Sequence, residues 1–101
     1  MKAYKLLADP AHWTQRAIAR NRTGDEVDSG SHAAVAWCLT GALHRSCFRQ
    51  HGSHRNKVLA YWSGRLRIYE HLGGLTALAQ WNDAPERTHA DVVRVLRELD
   101  L

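Results

Sequence analysis

Acidic residues are missing from the middle of this 101-residue chain. All ten Asp and Glu residues lie within 9–28 or 70–100, so the stretch from Ser29 to Tyr69 contains none. That stretch holds six cations: Arg45, Arg49, Arg55, Lys57, Arg65 and Arg67. Such an asymmetry favours an anionic partner. The alternative is that these cations are spread around two helices, solvated and paired with acids from elsewhere in the fold.

Long apolar runs are also absent. The uncharged stretch from Gly30 to Leu43 is broken by polar residues and is shorter than the roughly 18 apolar residues of a membrane span. The N-terminal segment from Met1 to Leu7 has only a brief apolar run before Asp9-Pro10, which is a poor match to a signal peptide. We therefore expect no transmembrane helix and a cytoplasmic location.

Cysteine is scarce, which excludes a disulfide-rich scaffold. Cys38 and Cys47 lie nine residues apart in one predicted helix, too far apart along its axis for a disulfide. Both are expected to be reduced thiols. Cys38 is predicted several residues inside that helix among apolar neighbours, whereas Cys47 lies in a more polar stretch and is expected to be the more accessible thiol.

Several segments have helical spacing. Lys2 to Ala8 is a short helix candidate ended by Asp9-Pro10, and Ala11 to Ala17 is expected to add a turn or two. His32 to Leu43 is apolar on all sides of a helical wheel, which predicts a buried central helix capped by Ser31. Gly41 in this helix and Gly64 further on are expected at close contacts with other elements.

Two further helices are predicted in the second half. The first is indicated by an apolar stripe that ends at Gly73-Gly74 and is interpreted as facing the core: Val58, Trp62, Leu66, Tyr69 and Leu72. The second follows a capping box of Thr88 and Asp91 and has a stripe of Val92, Val95, Leu96 and Leu99. With a hairpin or ordered loop around Arg22-Thr23-Gly24-Asp25, the fold class is mainly α, a small helical bundle in which residues 1–101 form one domain.

One group of residues has the chemistry of a metal site. His44, Cys47, His51 and His54 form the pattern His-x2-Cys-x3-His-x2-His, and imidazole and thiolate are both zinc ligands. The spacing matches no standard zinc finger, and histidines near a helix end commonly interact with the helix dipole alone. Zinc is therefore the weaker alternative, and the expectation is no cofactor.

A cysteine nucleophile is the other catalytic alternative. Cys38 beside His44 or His89, with Asn82 or Asp83 as the orienting group, would form such an arrangement. Apolar surroundings argue against a reactive thiolate, so no catalytic residue is assigned and the protein is expected not to be an enzyme. Trp81 to Pro85 is interpreted mainly as a structural segment, in which Asn82 and Asp83 bond to backbone groups.

Two motifs tie the chain to a family. Trp37 to Leu43 contains Trp-Cys-x-x-Gly-Ala, and Trp81 to Thr88 reads Trp-Asn-Asp-x-Pro-x-Arg-Thr. Together with Pro10, Trp13 and Gly24, these motifs resemble a family of small uncharacterised bacterial and phage proteins, a domain of unknown function. The resemblance implies no established activity. Its occurrence in phages suggests an accessory or counter-defence role, such as inhibition of a host immunity complex.

The sequence thus favours a non-enzymatic interaction protein. We expect the six cations between Arg45 and Arg67 to form a surface for an acidic or nucleic-acid-binding protein. Direct nucleic-acid binding is the main alternative, because Phe48, Tyr61, Trp62 and Tyr69 are interleaved with these cations and aromatic rings stack on bases. Trp62 and Tyr69 are nevertheless interpreted as core residues, and no standard nucleic-acid-binding motif is present.

Overall fold

Helix α2 (Leu39–Phe48) lies at the centre of the structure, a computed structural model that describes all 101 residues. Three other helices pack against α2: α1 (Ala3–Leu6), α3 (His54–His71) and α4 (Leu78–Asp83). Helix α5 (His89–Glu98) packs on α1 and α3. The predicted mainly α fold is therefore confirmed. None of the helices combines the length and hydrophobicity needed to cross a membrane.

A two-stranded antiparallel sheet leads into α2. Strand β1 (Ala19–Arg20) pairs with β2 (Ala36–Trp37), in the register Ala19 opposite Trp37. The predicted ordered loop follows β1, where Asn21 Oδ1 accepts hydrogen bonds from the backbone N–H groups of Thr23 and Asp25 at 3.1 and 2.9 Å. The expected helix over 11–17 is only a 3₁₀ turn at Pro10–His12.

The start of the central helix was predicted wrongly. The helix begins at Leu39, not His32, and Cys38 is its N-cap, with Sγ accepting from the Gly41 N–H at 3.3 Å. Ser31 caps only a local turn, through the Ala33 N–H at 3.1 Å. An uninterrupted apolar run is typical of a buried strand as well as of a buried helix. Here Ala36 and Trp37, within the first part of the run, form β2.

Helix α5 was predicted well because its signals are local. Thr88 and Asp91 exchange both hydrogen bonds of a capping box, and those from Thr88 hold the pKa of the Asp91 carboxyl below its usual range. Val92, Val95 and Leu96 are buried. They join one core that draws on all five helices and both strands, including Ala3, Leu7, Ala19, Trp37, Leu39, Leu43, Ile68 and Leu78.

Both expected glycine contacts are present. The α-carbon of Gly41 lies so close to the Ile18 carbonyl that a Cβ could not be accommodated. A Cβ on Gly64 would lie 3.1 Å from Leu43 Cδ2. The backbone at Ile18, just before β1, therefore packs closely against α2 at Gly41. The backbone of α3 packs closely against α2 at Gly64.

Candidate interaction surface

The exposed face of α3 is the most unusual surface of the molecule. Four of its large apolar side chains, which we call the α3 stripe, are exposed: Leu59 by 56%, Trp62 by 58%, Leu66 by 56% and Tyr69 by 38%. Isolated exposed apolar side chains are normal, but a contiguous group of them commonly marks a binding surface. The interpretation of Trp62, Leu66 and Tyr69 as core residues was therefore wrong.

Gly64 explains why the other side of α3 is buried. Only Gly64 and Ile68 of α3 are fully buried, and Gly64 meets Leu43 of α2. At roughly 100° per residue, the α3 stripe lies on the opposite side of the helix from Gly64. The core contact of α3 is thus made by a glycine. The helical spacing of large apolar residues in the sequence identifies the opposite, exposed face of α3.

Arg65 lies at the edge of the α3 stripe. Its guanidinium carbon is 5.2 Å from the centre of the Trp62 ring and 5.7 Å from that of Tyr61, and Nη1 donates to the Tyr61 hydroxyl at 3.2 Å. Stacking of this kind orders an arginine side chain while leaving other N–H donors available. No carboxylate of the protein pairs with Arg65.

A shallow groove runs between α3 and the start of α4. It has a volume of about 310 Å³ and is lined by Trp62, Arg65, Leu66, Tyr69, Ala77 and Leu78. Sequence reasoning missed Leu59 and Ala77 as parts of this surface. The spacing of Leu59, Trp62, Leu66 and Tyr69, by three, four and three residues, shows that the four share one face of the helix. It does not show whether that face is buried or exposed.

The structure divides the six predicted partner-binding cations into two groups. Arg45 is stacked on Trp37 and donates to the Ser29 and Ser31 carbonyls at 3.0 and 2.8 Å, so its role is internal. Burial, with a smaller contribution from Arg49, lowers the pKa of Arg45. Arg67 donates to the Leu99 carbonyl.

The other four cations are unpaired: Arg49, Arg55, Lys57 and Arg65. All four ion pairs of the protein lie elsewhere, at Lys2, His71, Arg87 and Arg94. Of the alternative interpretation, the pairing with acids from elsewhere in the fold is therefore wrong, whereas the spread of solvated cations over two helices agrees with the structure. Arg49 and Arg55 are exposed, at the end of α2 and the start of α3.

The four zinc candidates are not gathered into a site. His44 Nδ1 lies 2.7 Å from Ser29 Oγ, and its ring stacks on Phe48 at 4.3 Å between centres. Cys47 is buried, whereas His51 and His54 are exposed. No group of three or more His, Cys, Asp or Glu side chains has the arrangement of a metal site. The zinc alternative thus has no support from this geometry.

The two thiols also differ from expectation. Cys47 is buried rather than accessible, and burial raises the pKa of its thiol. Cys38 is at the start of α2 rather than inside the helix, and its sulfur lies 3.5 Å from Thr40 Oγ1. Neither proposed base serves Cys38, since His44 bonds Ser29 and His89 Nε2 contacts the Leu7 carbonyl.

Asn82 joins the two sequence motifs, Trp37 to Leu43 and Trp81 to Thr88. Its side-chain oxygen accepts from Trp13 Nε1 at 2.9 Å and from the Leu39 N–H at 3.0 Å, and its Nδ2 donates to the Thr14 carbonyl at 3.2 Å. Asp83 Oδ1 accepts from the Arg16 N–H at 2.9 Å. The predicted bonds of Asn82 and Asp83 to backbone N–H groups are confirmed, but Trp81 to Asp83 form the last turn of α4 rather than a loop.

Arg87 completes this arrangement. Its Nε donates to the Trp81 carbonyl at 2.8 Å, and its guanidinium lies 4.0 Å from the centre of the Trp81 ring. Trp13, Trp81, Asn82 and Arg87 thus hold the segment around Trp13 and the end of α4 against the start of α2. They form a structural network. The exposed α3 stripe lies elsewhere on the molecule.

The model of a family of unknown function, DUF6197, matches residues 1–99. The chain belongs to this family. No curated protein and no solved structure shows significant similarity to it. The family assignment brings no activity with it.

Proposed function

We propose that this DUF6197 protein is a non-enzymatic interaction module that binds an acidic or nucleic-acid-binding protein through a basic surface. The observation that carries the proposal is the group of cations without a carboxylate partner: Arg49, Arg55, Lys57 and Arg65. Cations without carboxylate partners raise the positive potential of the surface and speed association with an anionic partner. Arg45 and Arg67 support the fold around them.

The biological setting we propose is cytoplasmic. The resemblance to phage proteins supports an accessory or counter-defence role, in which binding blocks a component of a host immunity complex. Such a role needs a specific surface and no catalysis, and it fits a small protein whose motif residues serve the fold. Neither zinc nor another cofactor is part of the proposal.

Direct binding of nucleic acid is the second candidate. Trp62 and Tyr69 are exposed beside Arg65, and an aromatic ring next to cations can stack a base while the cations contact phosphates. We rank it second because no recognised nucleic-acid-binding arrangement surrounds them. An enzyme that depends on a metal or a cysteine is the third alternative and has no geometric support.

A pull-down from nuclease-treated host lysate tests the first candidate. We expect the wild-type protein to retain a specific protein and the Arg49→Glu and Arg55→Glu variants to lose it, because each reverses a charge in the proposed surface. Arg22→Glu is the matched control, since Arg22 is equally exposed but lies in the loop after β1. Recovery of nucleic acid alone, with no protein left after nuclease, would favour the second candidate.

A further inference from the structure

We propose that the α3 stripe binds an acidic amphipathic helix of the partner protein. This inference rests on the proposed function, because it takes the partner to be a protein. The inference goes further in two respects. It names a helix as the part of the partner that is recognised, and it adds the apolar α3 stripe to the basic surface. The four apolar side chains and the groove beside Ala77 and Leu78 would receive the partner's apolar residues.

The spacing of the α3 stripe indicates a helix as the occupant. Leu59, Trp62, Leu66 and Tyr69 alternate three and four residues apart, which is the spacing of the a and d positions that meet another helix in a coiled coil. Arg55, four residues before Leu59, continues the same line. A helix lying along this line would place its own apolar residues into the groove between α3 and α4.

The charges on α3 decide which helix fits. Arg55 lies on the line of the α3 stripe and Arg65 lies at its edge, whereas Lys57 and Arg67 lie nearer the Gly64 side of the helix. Glu70 is the one acidic residue of α3. A second copy of this chain would bring another helix of the same sign against the stripe, and like charges across an interface are repulsive. A helix with Glu or Asp beside its apolar residues would instead pair with Arg55 and Arg65.

Arg65 is placed to make the central ion pair. It is ordered by Trp62 and Tyr61 and has no carboxylate partner in the protein. A guanidinium held in this way can bind a carboxylate through two N–H groups at once. Trp, Tyr and Arg are also the residue types that most often dominate binding energy at protein interfaces.

A designed peptide provides the test. The probe is a labelled helical peptide as long as α3, with Leu at the a and d positions and Glu at the flanking positions. Binding is followed by fluorescence anisotropy against the whole protein. We expect the Glu peptide to bind at least about tenfold more tightly than a peptide of the same composition with scrambled Leu spacing.

Two variants localise the binding. Trp62→Glu is expected to weaken binding of the Glu peptide by about tenfold or more, because it puts a charge into the apolar line. Arg65→Glu should reverse the preference, so that a Lys-flanked peptide binds more tightly than the Glu peptide. Ile18→Ser is the matched control, since Ile18 is an exposed apolar residue outside α3. Thermal melts establish that each variant is folded.

Several outcomes overturn this inference. If the scrambled peptide binds as tightly as the Glu peptide, or if the Trp62→Glu variant binds the Glu peptide as tightly as the wild type does, then no helix binds at the stripe. A wild-type dimer that Trp62→Glu dissociates in sedimentation would assign the stripe to a second copy, and preferential binding of oligothymidine through Trp62 would assign it to nucleic acid. If the pulled-down protein is lost from Arg49→Glu but kept by Trp62→Glu, this inference fails while the proposed function stands.

Discussion

Asn82 is the residue whose single side chain joins most separate parts of the chain. Asn82→Ala would leave the part-buried Trp13 Nε1 and the buried Leu39 N–H without their acceptor. We expect it to lower the free energy of unfolding by about 2–4 kcal/mol, since each unsatisfied buried donor carries a desolvation cost. Urea denaturation measures the change in unfolding free energy.

The control is Asn56→Ala, at an exposed position on α3, which should change stability by less than about 0.5 kcal/mol. If Asn82→Ala and Asn56→Ala had equal effects, the structural role of Asn82 would be contradicted.

His44 makes stability depend on pH. Burial against Phe48 and Tyr61 lowers the pKa of its imidazole in the folded state. The unfolded chain therefore binds this proton more readily, so the contribution of His44 is complete above the unfolded pKa of about 6.5 and is lost as pH falls through the lower folded pKa. His44→Gln should reduce the fall in unfolding free energy between about pH 7 and 5. His32→Gln, at an exposed position, should leave it unchanged; parallel pH profiles for wild type and His44→Gln would refute the coupling.

At the scale of the element, α2 carries the largest share of the core. Leu39, its first residue, is fully buried, and Leu39→Ala should lower the free energy of unfolding by roughly 2–5 kcal/mol through the cavity it leaves. Chemical denaturation measures the change. Leu75→Ala, at a leucine that is 91% exposed, is the matched control and should cost less than about 0.5 kcal/mol. A loss at Leu39 as small as at Leu75 would show that α2 is not central.

The elements also show which features a sequence can predict. The α5 helix was predicted with its cap and its buried face because both depend on residues close together in the chain. The start of α2 was not, since hydrophobicity alone does not separate a buried strand from a buried helix. The buried face of α3 depends on Gly64 meeting Leu43, a contact between two helices that no spacing within α3 reveals. The α3 stripe therefore became visible as a surface only in the folded molecule.

For the whole molecule, the net charge of +4 matters less than the four unpaired cations between Arg49 and Arg65 in the acid-free stretch. The salt dependence of binding affinity distinguishes the two leading functions, protein binding and nucleic-acid binding. If Arg49, Arg55, Lys57 and Arg65 all contacted phosphates, the affinity for any single-stranded nucleic acid should fall with salt with a log–log slope of about −3, because each contact contributes roughly −0.7.

Substitution sharpens this last prediction. For a protein partner we expect a weak response to sequence-independent polyanions and unequal losses from single substitutions, with Arg65→Gln costing more than Lys57→Gln because Arg65 adjoins Trp62. For nucleic acid, each Gln variant should instead reduce the slope by a similar amount. Titrations at several salt concentrations, on wild type and the two variants, distinguish these patterns. Equal losses for both variants with a steep slope would favour nucleic acid, because phosphate contacts act additively while a shaped protein interface concentrates its energy at a few side chains.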